Sequence, residues 1–208
     1  MHLRPFLAAT VALLFAFFLA APAARAMSVV PPTFPELVAE SESIIRGEVT
    51  AVGCAYVDAP GGERPIKTFV AFRVERTLKG AAPATGTVTL IFLGGTVGAE
   101  TLEVSGMPKF KVGDREILFV ARNGKTFCPL IAAGHGRYRV LRDAVTRRDY
   151  VARENRTPLE STEEVALPLV APGAAARLKS AARALTPEAF ESLVLQAVAA
   201  TASPALQN

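Results

Sequence analysis

The chain has 208 residues, half of them hydrophobic, with 23 basic residues against 19 acidic ones and a formal charge of +4. This length suits one domain of ordinary size with appendages. So small a charge excess gives no general argument for a nucleic-acid partner or an anionic membrane surface.

Residues 1–26 have the features of a cleaved export signal, called the leader below. Arg4 precedes an apolar run over residues 6–20, and residues 24–26 read Ala-Arg-Ala, a small-residue cleavage pattern. The apolar run of about 15 residues is short of the roughly 20 that span a bilayer, which disfavours the alternative of an uncleaved anchor. No second apolar stretch is long enough to span a membrane. We therefore expect a periplasmic or secreted protein whose mature chain begins near Met27. Loss of Arg4 and Arg25 leaves 21 basic and 19 acidic residues, a net charge of +2.

Two cysteines, Cys54 and Cys128, remain after the leader. In an exported protein an even pair is most simply a disulfide, and a link across so long a loop would contribute roughly 4 kcal/mol in the chain-entropy model. The alternatives are two free buried thiols or a metal site. The metal site is disfavoured because the mature chain has one histidine and no cysteine pair at chelating spacing.

The longest β-type pattern covers residues 66–80, where Val70, Phe72 and Val74 alternate with polar residues. This period of two predicts a half-buried strand. Before it, an extended lead-in (residues 27–33) and a short helix (36–42) precede a first strand (43–52), in which Gly47 predicts a bulge or bend. A third strand is predicted over residues 86–93.

The second half of the chain predicts further short strands. A glycine-rich loop (94–98) leads to a short strand (102–104) and a turn (105–108). A strand over residues 115–121 precedes an Asn-Gly turn, which predicts residues 126–131 as its hairpin partner. Residues 137–141 and 149–152 predict a last hairpin.

After residue 156 the composition changes to Ala, Pro and Leu without a clean period, which predicts a linker over residues 157–185. Thr186 then has the character of an N-cap, with Pro187 at the first helical position. The predicted organisation is therefore a leader (1–26), a lead-in (27–33), a β-domain (34–156), a linker (157–185), and a helix with a frayed tail (186–208).

Several short strands, glycine bends and few helices favour a mainly β fold, a closed or nearly closed small barrel. The residues 37–49, in which a short helix leads into Ile-Ile-Arg-Gly-Glu-Val, resemble the opening of netrin-like modules, the group that contains the tissue inhibitors of metalloproteases. The strand ending Leu-Lys-Gly at Gly80, and the pattern from Phe110 through Gly113 to Leu118 and Phe119, are similar to later strands of that group. The same arrangement also resembles a group of uncharacterised bacterial exported proteins.

This resemblance covers roughly residues 34–141 and implies an OB-like barrel and a metalloprotease partner. One departure matters. The animal inhibitors bind the protease zinc through an N-terminal cysteine, whereas the mature chain here begins Met27-Ser28 and has no cysteine before Cys54. That mechanism therefore does not transfer to this protein.

Groups suited to catalysis are few, and we assign no catalytic residue, metal or cofactor. His135 lies between two glycines and is most simply a turn residue, and Ser105 lacks the setting of a nucleophile elbow. The glycine-rich loop lacks both the Gly-Lys-Ser/Thr of a phosphate loop and a dinucleotide-binding spacing. The adjacent carboxylates Glu163 and Glu164 have the character of a solvated face, as do Glu40 and Glu42.

Two surfaces are candidates for binding. The first joins the glycine-rich loop to the following turn, where glycine and proline fix an exposed backbone: Gly94, Gly95, Thr96, Val97, Gly98, Ser105, Met107 and Pro108. The second is a basic patch with interleaved tyrosines, predicted at Arg137, Arg139, Arg142, Arg147 and Arg148. OB-type barrels bind nucleic acids through such surfaces, but export disfavours that partner.

The sequence therefore predicts an exported, non-enzymatic binding module for a protein partner in the envelope or outside the cell, with a metalloprotease as the class that the resemblance implies. Two alternatives stay open. One is an envelope enzyme with a carboxylate-based site, and the other is a binder of an anionic glycan or envelope surface.

Overall fold

The computed structural model of the protein describes residues 30–169 and 181–202, so the predicted leader and the last residues of the tail lie outside it. Within these residues there are two α-helices, α1 (Phe34–Glu40) and α2 (Pro187–Ala202), and two short 3-10 helices, Ala133–Gly136 and Thr162–Ala166. The strands are β1 (Ser43–Tyr56), β2 (Ile66–Lys79), β3 (Thr87–Leu93), β4 (Gly95–Val97), β5 (Glu100–Leu102), β6 (Arg115–Val120), β7 (Arg137–Arg142) and β8 (Asp149–Arg153).

Six strands form one antiparallel sheet in the order β3-β2-β1-β6-β7-β8, and β4 pairs with β5 in a small separate hairpin. The prediction of a mainly β fold is confirmed. The prediction of a closed barrel is not, because the two end strands of the sheet, β3 and β8, do not pair with each other in the described part of the chain.

The centre of the sheet is the long pair of β1 and β2. Alternation places Val70 and Phe72 in the core, as predicted. The register of the two strands shifts at Arg46/Gly47, where a side chain on Gly47 would lie 2.8 Å from the carbonyl oxygen of Arg73. Gly47 therefore allows the bend that the sequence predicted, because glycine alone leaves room for this close approach of two backbones.

β6 is buried on both faces, as its unbroken apolar run requires. Ile117 and Phe119 face one core, which the helices cover, whereas Leu118 and Val120 face a second core on the opposite side of the sheet. The loops between β3 and β7 cover this second core, and Met107 and Phe110 pack against it.

The edge of β3 is covered by the turn that follows β6. The Asn123 side chain accepts a hydrogen bond from the N–H of Ile91 (3.0 Å) and donates one to the carbonyl of Thr89 (2.8 Å), so it takes the place of a neighbouring strand. Residues 126–131 do not form the predicted hairpin partner. They make a single antiparallel bridge to β6, Leu130 with Val120, and their backbone also bonds to β3, where the N–H of Leu93 donates to the carbonyl of Phe127.

α1 begins two residues earlier than predicted because Thr33 caps it. The Thr33 hydroxyl accepts from the N–H of Glu36, and the Glu36 carboxylate accepts from the N–H of Thr33, a complete capping box. α2 begins at Pro187 as predicted, with the Thr186 hydroxyl accepting from the N–H of Ala189.

α2 lies on the sheet rather than beside it. Phe190 is fully buried against the rings of Tyr138, Phe34 and Phe119, with centroids 4.8, 5.8 and 6.2 Å away. Truncating a buried phenylalanine typically costs about 3–5 kcal/mol, so this contact is a large share of the stability of one domain.

The described part of the predicted linker also reaches the core. Leu159 and Val165 are fully buried in the cluster that contains Phe190. The N–H of Leu159 donates to the carbonyl of Val151 on β8, and the N–H of Val151 donates to the carbonyl of Leu185. These bonds cover the edge of β8, so both end strands of the sheet are shielded by other parts of the chain.

Candidate functional site

An apolar cavity of about 390 Å³ lies on the second face of the sheet. We call it the β1 cavity. It lies between the far end of β1, the β4–β5 hairpin and an irregular segment, residues 103–110, that we call the wall segment. Its apolar lining includes Val52, Phe92, Leu93, Val104, Met107 and Phe110.

The structure brings most of the first predicted binding surface to this cavity. Five of its eight residues line it: Gly94, Gly95, Thr96, Met107 and Pro108. Val97, Gly98 and Ser105 belong to the same hairpin and turn but are not among the lining residues. The predicted loop is itself mostly strand, since Gly95–Val97 forms β4 and pairs with Glu100–Leu102.

Gly95 fixes the floor of the cavity by close packing. Its φ of +137° suits glycine, and a side chain there would lie 2.6 Å from the Cys54 Sγ and 2.7 Å from the Thr68 Oγ1. The Thr68 hydroxyl donates to the carbonyl of Gly94 (2.6 Å) and lies 3.4 Å from the Cys54 Sγ. The backbone of β4 therefore lies directly on β1 and β2.

The predicted disulfide is wrong, because both cysteines are free. Cys54 is exposed at the β1 cavity, whereas Cys128 is buried in the second core, where desolvation raises the pKa of its thiol to about 11. The segment that holds Cys128 bonds to β3 and β6 and not to the far end of β1, where the prediction placed it.

One edge of β1 is unpaired beside the cavity. β6 pairs with β1 only from Ser43 to Glu48, and Val49 adds two hydrogen bonds to the backbone of residues 113 and 114. From residue 50 to residue 56, β1 pairs with β2 alone among the described residues, and residues 50–55 are exposed. Alternate backbone N–H and C=O groups of this stretch therefore point away from the sheet, as at any strand edge.

The wall segment is held by an arginine that the sequence placed on the surface. Arg137 is fully buried, and its Nη1 donates to the carbonyl of Lys109 at 2.9 Å. Its guanidinium carbon lies 3.9 Å from the centre of the Phe110 ring, which in turn packs on Phe72 and Phe92. Arg137 thus joins β7 to two residues that line the cavity.

Three carboxylates surround this guanidinium. Glu116 is fully buried and accepts from Arg137 Nη2 at 2.6 Å, Glu154 accepts from Nη1 at 3.1 Å, and Asp114 lies 3.6 Å from Nη2. Arg139 lies 3.5 to 3.9 Å from the same three carboxylates. We call these five residues the Arg137 cluster. Burial raises the pKa of Glu116 to about 7, although Arg137 and Arg139 act to lower it.

Sequence reasoning missed the three carboxylates of this cluster. One signal was available: Glu116 begins an apolar run, and a later predicted strand carries Arg137 and Arg139, whose alternation places them on the same face. The cross-strand partner of Glu116 is Arg139. Since each carboxylate is ion-paired with an arginine and Glu116 is inaccessible, the cluster has the form of a structural network rather than of an acid–base site.

The predicted basic patch is not one surface. Arg137 is buried, Arg139 is mostly buried, and the Arg148 guanidinium donates to the carbonyl of Ala184. Arg142 is exposed and lies 3.3 Å from a carboxylate oxygen of Asp149. The exposed Arg147 lies in the turn that follows, with a positive φ of 59°.

A different group of cations surrounds a second, more open pocket of about 480 Å³. Lys67, Arg122 and Lys125 line it beside the ring of Phe127, which is 49% exposed. We call it the cationic pocket. Its loop is fixed to β3 by the Asn123 hydrogen bonds, and the N–H of Arg122 donates to the Glu42 carboxylate (2.9 Å).

The remaining candidates for chemistry lie apart from both pockets. His135 is buried in the first 3-10 helix, where desolvation and the nearby Arg153 lower its pKa. Among residues 30–169 and 181–202, no three His, Cys, Asp or Glu side chains are grouped so that they could hold a metal ion. In the same residues, no helix combines the length and apolar character that crossing a membrane requires.

Comparison with protein-family models finds no family that matches this chain, and comparison with curated proteins finds no match.

Proposed function

We propose that the protein is an exported, non-enzymatic binding module that captures an extended segment of a protein partner outside the cytoplasm. The segment pairs with the free edge of β1 over residues 50–56 and inserts an apolar side chain into the β1 cavity. The observation that carries this proposal is the position of an apolar cavity beside an unpaired strand edge.

Two physical arguments support this mode of binding. An unpaired edge presents backbone donors and acceptors that another strand satisfies, while a pocket for one side chain adds specificity. The cavity volume of about 390 Å³ falls in the range of roughly 300–1,000 Å³ that is typical of ligand pockets. In addition, the chain covers the edges of β3 and β8, so the open stretch of β1 contrasts with the way the sheet ends are protected.

The netrin-like, OB-type resemblance is part of this proposal. It is supported by the backbone of residues 127–131, which bonds to Leu93 of β3 on one side and to Phe119 and Ala121, in and after β6, on the other. This segment therefore connects two strands that are not neighbours in the sheet, as the closing of a barrel requires. A metalloprotease is the partner class that the resemblance implies. Since the predicted mature N-terminus, Met27-Ser28, is not a cysteine, the proposed contact is made by the β1 edge and not through the protease zinc.

The first test selects peptides from a phage-displayed random library on the folded protein and measures their affinity by calorimetry. Val52 lines the cavity, so Val52→Asp should weaken binding of a selected peptide at least about tenfold, because an apolar contact is replaced by a charge. Val145→Asp is the matched control, since Val145 is 89% exposed in the turn between β7 and β8. Equal affinity for wild type and Val52→Asp would overturn the proposed site.

A second test examines the strand pairing itself. N-methylation removes a backbone N–H of the peptide, and only every second N–H of a strand faces a given neighbour. Two peptides are compared, one methylated at its odd-numbered residues and the other at its even-numbered residues. One of the two should lose binding, and the other should bind nearly as well as the unmethylated peptide. Equal effects in both peptides would contradict pairing with the β1 edge.

The cationic pocket favours one alternative, a binder of an anionic glycan. Three cations surround an exposed aromatic ring, a combination in which the ring stacks on a sugar face and the cations bind acidic groups. The probe is an oligogalacturonate, with its methyl ester as the uncharged control. Replacing Lys67 and Lys125 by Gln should then weaken binding, whereas replacing Arg142 and Arg147 by Gln should not. Equal binding of the acid and the ester would eliminate this alternative.

A further inference from the structure

The wall segment depends on side chains for its position. Residues 103–114 contain no helix or strand, and their backbone is tied to β1 only at residues 113 and 114. Toward the cavity, the segment is held at Lys109, whose carbonyl accepts from Arg137, and at Phe110, whose ring lies under the same guanidinium. Apolar packing of Met107 and Phe110 on the second core also holds the segment, and Arg137 is the charged side chain that contacts both Lys109 and Phe110.

The charges of the Arg137 cluster do not balance. When all five groups are ionised, three carboxylates (Asp114, Glu116 and Glu154) face two guanidinium groups, which leaves an excess of one negative charge; Asp114 and Glu154 are partly exposed, whereas Glu116 is buried. Glu116 is the carboxylate without access to solvent, and its Oε2 has no hydrogen-bond partner among the described residues. Uptake of one proton by the cluster, at Glu116, restores neutrality.

We propose that Arg137 is a positioning residue for the β1 cavity and that the protonation state of Glu116 sets how firmly it holds the wall segment. With Glu116 ionised, Arg137 is fixed by a charge-assisted hydrogen bond at 2.6 Å and holds Lys109 and Phe110 in the binding geometry. With Glu116 protonated, the ion pair is lost and the cationic guanidinium faces a neutral, weaker acceptor, so the wall segment is less restrained. Ligand affinity therefore falls as the pH is lowered through the titration of Glu116.

Four charged groups, from β7, the end of β8 and the loop before β6, surround Glu116. Arg137 and Arg139 on β7 favour its ionised form, and Asp114, in the loop before β6, opposes it. Glu154 follows β8 and shares Arg137 with Glu116. Replacing Asp114 by Asn removes the nearby negative charge and should move the midpoint of the transition to lower pH.

The inference rests on the proposed function, so its experiment separates the two. A selected peptide without titratable groups between pH 5 and 8 is measured against wild type, Glu116→Gln and Asp114→Asn across that range. Wild type should bind about fivefold more weakly at pH 5.5 than at pH 8, the effect of weakening one ion-paired hydrogen bond. Glu116→Gln should bind weakly at every pH, and Asp114→Asn should show the same transition at lower pH.

Each outcome bears on one of the two proposals. A peptide whose binding is unaffected by Val52→Asp refutes the proposed site itself. A peptide that depends on Val52 but binds wild type equally at pH 5.5 and pH 8 leaves the site intact and overturns the role of Glu116.

If Glu116→Gln does not fold, the Asp114→Asn profile decides, together with the carbon-13 carboxyl resonance of Glu116 in the free protein. An unshifted Asp114→Asn profile, or a resonance that does not titrate near pH 7, would overturn the inference.

Discussion

Gly95 lies where β4 packs on the side chains of Cys54 in β1 and Thr68 in β2. Replacement by Ala would force a φ of +137° on a residue with a side chain and place its Cβ 2.6 Å from the Cys54 Sγ. Such backbone strain alone costs about 1–3 kcal/mol, so we expect Gly95→Ala to lower the free energy of unfolding by at least about 2 kcal/mol. Urea unfolding measures this change.

Gly53→Ala is the matched control for Gly95→Ala. Gly53 neighbours Cys54 on β1, has no positive φ, and has nothing within 4 Å of the position that a Cβ would take. We expect a change of less than about 1 kcal/mol, in the stabilising direction, since glycine in a strand carries an entropic cost. Equal losses for both variants would show that the close packing at Gly95 is unimportant.

Glu116 predicts a pH dependence of stability with a definite sign. Its pKa is raised from 4.5 to about 7 in the folded protein, so the folded state binds this proton more tightly than the unfolded state. The contribution of Glu116 to the free energy of unfolding is therefore fully present below pH 4.5 and declines as the pH rises to 7, by up to about 1.4 kcal/mol per pH unit.

Glu116→Gln does not titrate, so the difference in stability between wild type and this variant isolates the effect. We expect wild type to lose stability relative to Glu116→Gln between pH 5 and pH 7, with no further change from pH 7 to pH 8. Urea unfolding at each pH measures the difference. A constant difference, or one that grows in favour of wild type as the pH rises, would contradict the raised pKa.

At the scale of elements, α2 is anchored to the sheet by a buried carboxylate. Glu191 is fully buried and binds Arg46 of β1 at 2.9 Å and Arg76 of β2 at 2.7 Å. Glu188, on the same helix, lies 3.2 Å from Arg46 but is 69% exposed. Glu191→Gln should cost about 3 kcal/mol because it removes the buried carboxylate that pairs with both Arg46 and Arg76.

The matched variant Glu188→Gln should cost less than about 1 kcal/mol, since exposed ion pairs contribute little. Thermal or urea unfolding of both variants gives the comparison. Similar small effects for the two substitutions would mean that apolar contacts such as those of Phe190, and not the ion pairs, hold α2 on the sheet.

The elements that sequence patterns predicted well are those with local signals. Alternation over residues 66–79 predicted β2, and the cap at Thr186 predicted the start of α2. A strand of three residues with a glycine, such as β4, is too short to show alternation and was predicted as a loop. The predicted disulfide between Cys54 and Cys128 is wrong for another reason, since an even number of cysteines says nothing about their distance in the fold.

The Arg137 cluster could not be predicted because it depends on contacts distant in the chain. In Arg137-Tyr138-Arg139 the arginines share a parity that is typical of a solvent-facing side. That side is instead covered by residues 109–114, which have no regular structure and no periodicity to reveal where they pack. Likewise, the glycine-rich loop and the turn at Pro108 were predicted as a binding surface, but not the unpaired edge of β1 beside them.

At the scale of the whole molecule, the two faces of the sheet are covered by different parts of the chain. Helices and the described part of the predicted linker close one face through Phe190, Leu159 and Val165. The other face is covered by loops and by the β4–β5 hairpin, and it retains the β1 cavity at the end where β6 no longer pairs with β1. The proposed binding site therefore lies on the face that the helices do not cover.

Amide hydrogen exchange with a selected peptide tests the central claim most directly. In the free protein, alternate amides between residues 50 and 56 lack a strand partner and should exchange rapidly, while those that bond to β2 are protected. Saturation with the peptide should slow exchange of these outward-facing amides at least about tenfold, because a new strand covers them. Protection elsewhere, for example around Lys125 and Phe127, with unchanged exchange over residues 50–56, would contradict strand addition at β1.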